Sequence, residues 1–382
     1  MKFLVLFSRL FVGLLFIVSG LIKANDSLGF SYKLDEYFTV FGMEWLAPFA
    51  LAISMFICIL EVVLGVAVIL GTQIKTVSWS LLSLIIFFTF LTFYSAYFNK
   101  VTDCGCFGDA VKLTPWESFT KDIILLVFIL IIFWKRNSIK SIFNVAKADW
   151  VVSAFSTIAI TSFSFYCLWH LPVKDFRPYA IGKSIPEQMK VPEGAPPDVY
   201  ETKLIYKNVN SGEEKELLQE EYMKNWEDYE EEKGWKHLDT RSTLIKKGFE
   251  AKIHDFKISD FEGNDYTDDF LYDPDYIFIL ISYDINKTNK KAHTKFNEFA
   301  AACFSHGASV IGLTASSYNI VEDFRHETQA MYDYYNADEI TLKTIIRSSP
   351  GLVLLKNGVI INKWHYNDIP PFEEIKSSYL NH

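Results

Sequence analysis

Long apolar segments in the first 171 residues constrain most strongly what this chain can fold into. A helix needs about 20 mostly apolar residues to cross the hydrocarbon core of a bilayer. Helices without a polar face are stable only in a large core or in a membrane. The sequence therefore predicts an integral membrane protein with five spans. They cover 3–22, 45–70, 77–98, 113–134 and 150–171.

The first and fourth segments contain charged residues but are still predicted to span. Segment 3–22 is interrupted by Arg9, and no small-x-small cleavage site follows it before Lys23. We therefore expect a retained span and not a cleaved secretory signal. Segment 113–134 carries charges in its first turns, but Pro115 suits the start of a helix, and the remainder of the segment is apolar.

The distribution of lysine and arginine predicts the orientation, because cytoplasmic loops carry an excess of both. Lys2 precedes the first segment, Lys75 separates the second from the third, and four basic residues lie in 135–147. The alternate loops, 23–44 and 99–112, are more acidic. We expect a bacterial inner membrane protein with a cytoplasmic N-terminus and a periplasmic C-terminal domain.

Two ionisable residues within the predicted spans need partners, since an unpaired charge there is costly. Arg9 and Glu61 each lie about nine residues from the cytoplasmic end of their segments, which places them at similar depth. The sequence predicts that they form an ion pair. The pair could fix the register of two helices, or it could serve a proton or a quinone.

The most informative short stretch is the Cys-Gly-Cys loop (residues 103–109), which contains Cys104, Gly105 and Cys106. The predicted orientation places it on the oxidising side, where disulfides persist. A bond across one residue departs from relaxed geometry and constrains almost nothing, which favours redox exchange over a structural role. An inert disulfide or a thiol pair is the alternative. A metal site is disfavoured, because no histidine and no second cysteine pair lie nearby.

Residues 1–140 resemble the DoxX and methylamine-utilisation MauE group of membrane proteins. The resemblance rests on Arg9-x3-Gly13-x2-Phe16-x2-Ser19-Gly20-x2-Lys23, on Glu61-x3-Gly65, and on the Cys-Gly-Cys loop with the following Leu113-Thr114-Pro115-Trp116. It implies a four-helix bundle of the vitamin K epoxide reductase kind, and electron or disulfide exchange near a quinone. The separate Cys-x-x-Cys pair of those reductases is missing here, so a relay of two disulfides is unsupported.

The remaining residues are polar and acidic. Residues 172–198 are rich in proline, which favours an extended connector. We expect a strand over 199–207, a helix over 219–233, a strand over 253–258 and a buried strand over 276–282. A helix over 290–306, a strand over 309–313, a helix over 320–335 and a hairpin over 351–364 complete the prediction, and Asn357-Gly358 favours the hairpin turn.

This order of elements, with Arg347-Ser348-Ser349-Pro350-Gly351, resembles a membrane-tethered thioredoxin-like domain of the TlpA kind over 251–375. The resemblance implies a cis peptide bond before Pro350, next to a redox pair. The expected Cys-x-x-Cys would fall just after the central strand, where the chain reads Tyr283-Asp284-Ile285-Asn286-Lys287-Thr288-Asn289-Lys290 and holds no cysteine. Without a thiolate there is no nucleophile for exchange, so we expect this domain to be redox-inactive and to bind a polypeptide or a partner.

The predicted fold is an all-α membrane bundle of four helices (1–149), a fifth, tethering helix (150–171), a connector with a small mixed segment (172–250), and an α/β thioredoxin-like domain (251–382). The first function hypothesis is envelope thiol–disulfide or electron transfer through Cys104 and Cys106, with Lys23 favouring the thiolate and a quinone as a possible cofactor. The alternative is a non-catalytic scaffold or accessory subunit of an envelope complex. Transport is a third hypothesis. The expected partners are the lipid bilayer and a periplasmic or membrane protein, and the net charge of −9 disfavours nucleic acid.

Overall fold

The computed structural model describes residues 2–101, 105–143, 146–246 and 248–380. Within them the N-terminal part folds into six helices. These are α1 (Lys2–Asn25), α2 (Ser27–Val40), α3 (Ala50–Leu70), α4 (Ile74–Phe98), α5 (Pro115–Lys135) and α6 (Ala146–Trp169).

Four helical segments in the described residues are long and apolar enough to cross a membrane. They cover Lys2–Asn25, Glu44–Leu70, Ile74–Phe98 and Lys147–Trp169. The fourth predicted segment, α5, is a helix that packs on α4 and α1. It is not among the four, because Glu117, Lys121 and Asp122 place three charges in its first turns. The prediction of five spans is thus confirmed for four of them.

Two glycines set the register between α1 and α3. A Cβ atom added at Gly65 would lie 2.7 Å from the carbonyl oxygen of Gly13, and one added at Gly13 would lie 2.8 Å from that of Gly65. Only residues without a side chain allow two helix backbones to approach so closely. The antiparallel pair α1 and α3 therefore aligns with Gly13 opposite Gly65, and this register decides which polar groups meet.

Helix α2 lies in a stretch that the sequence pattern left without a helix. Asp26 caps it, because its carboxylate accepts a hydrogen bond from the Gly29 N–H at 2.9 Å. The start of α5 is also capped: Thr114 and Glu117 form a reciprocal capping box, and Pro115 occupies the first turn as expected.

Residues Ile185–His254 form a compact unit of their own. It contains α7 (Ile185–Met189), β1 (Val199–Asn208), β2 (Glu214–Leu218), α8 (Gln219–Lys224) and β3 (Trp235–Lys246), and its antiparallel sheet has the order β2-β1-β3. The strand predicted over 199–207 is confirmed. The helix predicted over 219–233 is too long, because it ends at Lys224 and short 3-10 turns follow.

The C-terminal α/β domain is built on a five-stranded sheet with the order β6-β5-β4-β7-β8. Strands β4, β5 and β6 are parallel, and β7 and β8 are antiparallel to their neighbours. The elements are α9 (Thr267–Leu271), β4 (Tyr276–Ile281), α10 (His293–Ser305), β5 (Ser309–Thr314), α11 (Tyr318–Thr328), β6 (Tyr334–Asn336), α12 (Glu339–Ile345), β7 (Gly351–Lys356), β8 (Val359–His365) and α13 (Phe372–Ile375).

The hairpin β7–β8 is confirmed, and its turn residues Asn357 and Gly358 both have positive φ, as a tight hairpin turn requires. The helix predicted over 320–335 is too long, because α11 ends at Thr328 and the edge strand β6 follows. The strand predicted over 253–258 is wrong. That stretch is irregular, and the chain makes only isolated bridges next to it, at Ser259.

Candidate functional site

The described part of the Cys-Gly-Cys loop, residues 105–109, lies beside the C-terminal end of α1 and precedes α5. Cys104, like residues 102 and 103, lies outside the described residues, so the predicted Cys104–Cys106 pair stays a prediction. Gly105 has a φ of +64°, a conformation that glycine adopts without strain. Cys106 is half-buried, and its carbonyl oxygen lies 2.9 Å from the Ser19 hydroxyl of α1. The loop is thereby fixed to the first helix of the bundle.

Lys23 and Glu61 form a buried ion pair beside this loop. Their side chains are only 2% and 3% exposed. The second carboxylate oxygen of Glu61 lies 3.0 Å from the Ser19 hydroxyl. The Lys23 ammonium also lies 5.0 Å from the ring centre of Phe30 and 5.1 Å from that of Phe88. Lys23, expected to act near the cysteines, is therefore held within the bundle beside the loop.

The predicted ion pair between Arg9 and Glu61 is wrong. The Arg9 guanidinium donates to the carbonyl oxygens of Val68 and Ile69, at 3.0 and 2.7 Å. The register set by the glycines places Arg9 level with the C-terminal turn of α3, where carbonyls lack intrahelical partners and attract a cation. Glu61 lies two turns earlier on α3 and meets Lys23 instead. Arg9 is a helix-end residue in this fold.

A second ion pair lies across from the first. Lys121 Nζ is 2.8 Å from Asp122 Oδ1, and the Asp122 side chain is 1% exposed. Thr92 of α4 donates to the other oxygen of Asp122 at 3.0 Å. Lys121 also lies 5.3 Å from the ring centre of Phe107, the residue after Cys106. The first turns of α5, which weaken it as an apolar span, thus carry charges with defined partners.

Both ion pairs line one cavity, which we call the bundle cavity. Its volume is about 30 Å³, which is room for about two water molecules. The residues that line it come from α1, α3, α4, α5 and the Cys-Gly-Cys loop. The polar ones are Ser19, Lys23, Glu61, Cys106, Lys121 and Asp122. A space of this size does not fit a quinone ring.

The C-terminal domain has a cis peptide bond between Ser349 and Pro350, as the resemblance implied. A chain of hydroxyl groups, buried at Ser282 and Thr288, lies beside this bond. Ser349 Oγ lies 3.3 Å from Thr288 Oγ1, and Thr288 Oγ1 lies 3.2 Å from Ser282 Oγ. The chain continues at 3.4 Å from Ser282 to His293 Nε2. Burial lowers the pKa of His293 to about 4, so the ring is neutral at physiological pH.

The same side of the domain packs on the membrane bundle. Arg347, which is 8% exposed, donates to the carboxylate of Asp26 at 2.9 Å and lies 3.5 Å from Asp109. We call these three residues the Arg347 bridge. Burial lowers the pKa of Arg347, but Asp26 and Asp109 outweigh this effect and the net shift is upward. Because Asp109 belongs to the Cys-Gly-Cys loop, the bridge connects that loop to the segment that leads to Pro350.

Two aromatic residues extend this contact. The Tyr32 hydroxyl of α2 lies 3.3 Å from the Tyr283 hydroxyl, which follows β4 where the first thioredoxin cysteine is expected. Lys343 lies 4.7 Å from the ring centre of Tyr32. The face next to the cis proline is therefore occupied by the chain's own bundle.

A further buried ionic group joins the segment after α6 to β8. Asp175 accepts from Arg177 at 2.8 Å and from Lys363. Burial raises the pKa of Asp175, but Arg177 and Lys363 outweigh it and lower the pKa to about 2. Burial and Arg177 lower the pKa of Lys363 to about 8, against the opposing effect of Asp175. This group fixes the start of the connector to the α/β domain.

Sequence reasoning missed three side chains of the candidate site. Asp122 could have been identified from the sequence, since a carboxylate in a largely apolar helix needs a partner. Arg347 stands in the quoted segment before Pro350, but nothing in the sequence indicates that it reaches α1 and the Cys-Gly-Cys loop. Ser19 is one turn before Lys23 on α1 and so shares its face, a helical spacing that could have identified it.

Residues 1–135 match the family described as Methylamine utilisation protein MauE. One curated relative is Protein TlpB of Flavobacterium psychrophilum, which is 26% identical over 140 residues; the match covers 34% of this chain and 37% of that protein. The match therefore spans little more than a third of the length of this relative.

Among solved structures, the thioredoxin domain of a thiol-disulfide oxidoreductase from Bacteroides vulgatus is similar to 32% of this chain. The alignment covers 91% of that domain at 14% identity, with a TM-score of 0.26. StoA from Bacillus subtilis is similar at 18% identity and a TM-score of 0.25, over 32% of this chain and 93% of that protein. The fold assignment rests on the strand order described above. The chain joins a MauE-like membrane region to a thioredoxin-like domain.

Proposed function

We propose that this protein carries out thiol–disulfide exchange with a partner protein at the periplasmic side of the bacterial inner membrane, through Cys104 and Cys106. The observation that carries the proposal is the position of Cys106. It lines the bundle cavity together with two ion pairs whose carboxylates are buried, and the Ser19 hydroxyl donates to its carbonyl oxygen. Buried charges beside a cysteine are the setting in which thiol reactivity is tuned.

The exchange balances within the two proteins. The loop dithiol loses two electrons and two protons and forms one disulfide, while the partner's disulfide takes them up and becomes a dithiol. The reverse reaction oxidises the partner and reduces the loop. A small strained ring is easily reduced, so both directions are chemically accessible.

The C-terminal domain has a positioning role in this proposal. It lacks a cysteine at the thioredoxin position, and Cys303, on α10, is buried. Its cis-proline face is occupied by the bundle through Tyr32, Tyr283 and the Arg347 bridge. The domain therefore holds the Cys-Gly-Cys loop through Asp109 and presents its remaining surfaces to a partner.

A redox titration tests the exchange. The full chain in detergent micelles is equilibrated with mixtures of reduced and oxidised glutathione, and the peptide that contains the loop is weighed by mass spectrometry. We expect reversible loss of two hydrogens in the wild type and in the control Cys303→Ser. Cys106→Ser should form a glutathione adduct at Cys104 instead. A loop that stays a dithiol, or stays oxidised, in every mixture contradicts exchange.

The scaffold function remains the second candidate. The observation that favours it is the docking of the cysteine-free thioredoxin face on the chain's own bundle, which resembles a fixed assembly surface more than an enzyme site. A loop that is inert in the titration, together with co-purification of a stoichiometric partner, would support this candidate.

A further inference from the structure

The two ion pairs of the bundle cavity differ from the other buried polar groups of the bundle. Arg9 donates to carbonyls at a helix end, and several buried serines of the bundle, such as Ser8 and Ser95, donate to carbonyls within their own helices. Lys23 and Glu61 instead lie beside Ser19, whose hydroxyl is 3.0 Å from a Glu61 carboxylate oxygen and 2.9 Å from the backbone carbonyl oxygen of Cys106. Both of these oxygens are acceptors and a hydroxyl has one proton to donate, so Ser19 holds the carboxylate near the loop backbone and a proton from the thiol has to cross the cavity.

Stability alone does not account for these charges. Removing two charges from water costs several kcal/mol per ion, and apolar residues of similar volume are often as good or better in such positions. Ionisable groups inside a membrane bundle therefore mark proton or ion chemistry more often than packing. The cavity, which the carboxylates and Cys106 all line, has room for about two waters, and hydrogen-bonded water conducts protons.

We propose that Glu61 is the proton-relay residue of the Cys-Gly-Cys loop, and that it accepts the proton of the attacking thiol through the water of the bundle cavity. This inference rests on the proposed function. Lys23 is a positioning residue: its ammonium holds the carboxylate in place, and Phe30 and Phe88 hold the ammonium.

With oxidised glutathione as the disulfide, protons and electrons balance in two displacement steps. The attacking loop thiol gives its proton to Glu61, and its sulfur bonds to one glutathione sulfur while the other glutathione leaves as a thiolate. That thiolate takes the proton back. The second loop thiol then displaces the second glutathione in the same way, so the loop is oxidised by two electrons and both protons end on glutathione.

The groups that face Glu61 come from several elements. Lys23 and Ser19 approach from α1, Cys106 from the loop, and Lys121 with Asp122 from α5 across the cavity. Cys58 lies one turn earlier on α3 itself. Asp122 pairs with Lys121 and accepts from Thr92 of α4, whereas Glu61 pairs with Lys23 and shares Ser19 with the backbone of Cys106. Glu61 and Cys106 thus line the same cavity and are held close to one another by Ser19.

The test is the pH dependence of exchange between the reduced full chain and oxidised glutathione, measured between about pH 6 and 9, a range that spans the ordinary thiol pKa. We expect Glu61→Gln to slow the reaction about 100-fold near neutral pH, since a positioned general base contributes about 10²–10⁴-fold. The exchange rate of the variant should increase as the pH rises, because the thiol then ionises without a base. The exchange rate of the wild type should depend less on pH.

Two further variants test whether the loss of rate comes from the missing carboxylate of Glu61. Lys23→Met/Glu61→Gln removes both buried charges, so it folds without an unpaired ion and should show the same slow, pH-dependent rate. Glu36→Gln is the matched control: Glu36 pairs with Lys33 near Gly105 but does not line the cavity, and it should react like the wild type.

The outcomes separate this inference from the proposed function. If the wild type exchanges, and both Glu61 variants keep its rate and pH profile, the relay is overturned and the exchange function stands. If the wild type does not exchange at any pH, the function falls and the relay falls with it. The relay is also overturned if both Glu61 variants react slowly and their rates do not rise with pH. A missing base would be compensated as the thiol ionises, so a pH-independent loss of rate indicates a damaged loop.

Discussion

Replacing Arg347 by methionine tests whether the α/β domain is locked onto the membrane bundle. The substitution keeps most of the side-chain volume but leaves Asp26 and Asp109 without their cation. Removing one partner of a buried pair costs about 3–5 kcal/mol. Because the side chains of Asp26 and Asp109 are 19% and 33% exposed, water compensates part of this loss, and we expect about 2 kcal/mol.

This free energy corresponds to about a 30-fold larger population of the undocked state. Hydrogen–deuterium exchange of the full chain in detergent micelles measures it, because undocking exposes amides on both sides of the contact. We expect peptides from α2 and from 343–349 to exchange about 30-fold faster in Arg347→Met. Arg347→Lys should be intermediate, because lysine keeps the charge but cannot contact both carboxylates through a planar group.

A matched control and a double-mutant cycle complete the experiment. Arg325→Met removes a half-buried arginine of α11 that pairs with Glu322 and Asp333, and it should leave exchange in α2 unchanged. Asp26→Asn combined with Arg347→Met should cost less than the sum of the two single variants. An acceleration of less than about fivefold, typical of an exposed pair, would refute the buried bridge.

Two further predictions concern stability. Because burial lowers the pKa of His293 from 6.5 to about 4, the unfolded state binds more protons in this window, so the α/β domain loses about 3 kcal/mol as the pH falls from 6.5 towards 4. Hydrogen exchange of β4 amides should show this loss in the wild type and in the control His326→Asn, and a His293→Asn variant with the same pH dependence would contradict the assignment. Gly65→Val should lower the melting temperature in detergent by about 3–6 °C, because a side chain there forces α1 and α3 apart; an equal loss in Ala52→Val, whose side chain is exposed on α3, would point to propensity and not to close packing.

The long helices of the bundle could be predicted from composition, because apolar runs leave little choice of structure. Their side-chain pairing could not. Counting residues from the ends placed Arg9 and Glu61 at one depth, but the contact of Gly13 with Gly65 shifts α1 along α3, and Arg9 reaches the last carbonyls instead. Helix α2 was not predicted, because its sequence has no long apolar run.

The α/β domain was predictable where the signals are local. Asn357 and Gly358 specify the hairpin turn, and the apolar run at 276–282 specifies a central strand. The edge strand β6 was missed, since three residues at a sheet edge carry no alternation. The Arg347 bridge could not be predicted from the sequence, because Arg347 and Asp26 are 321 positions apart and no periodicity relates them.

The central claim is that the Cys-Gly-Cys loop faces the periplasm and changes its redox state. Trapping of thiols in intact cells with a membrane-impermeant maleimide, before and after mild reduction, tests it most directly. Wild type is compared with Cys104→Ser and Cys106→Ser, and Cys303→Ser serves as the matched control because Cys303 is buried on α10.

We expect the loop to be unlabelled in its oxidised state, labelled after reduction, and labelled at the remaining cysteine in each loop variant without reduction. Cys303→Ser should behave like the wild type. Loop cysteines that stay unlabelled in every condition, or that are labelled equally with and without reduction, would contradict the proposed exchange.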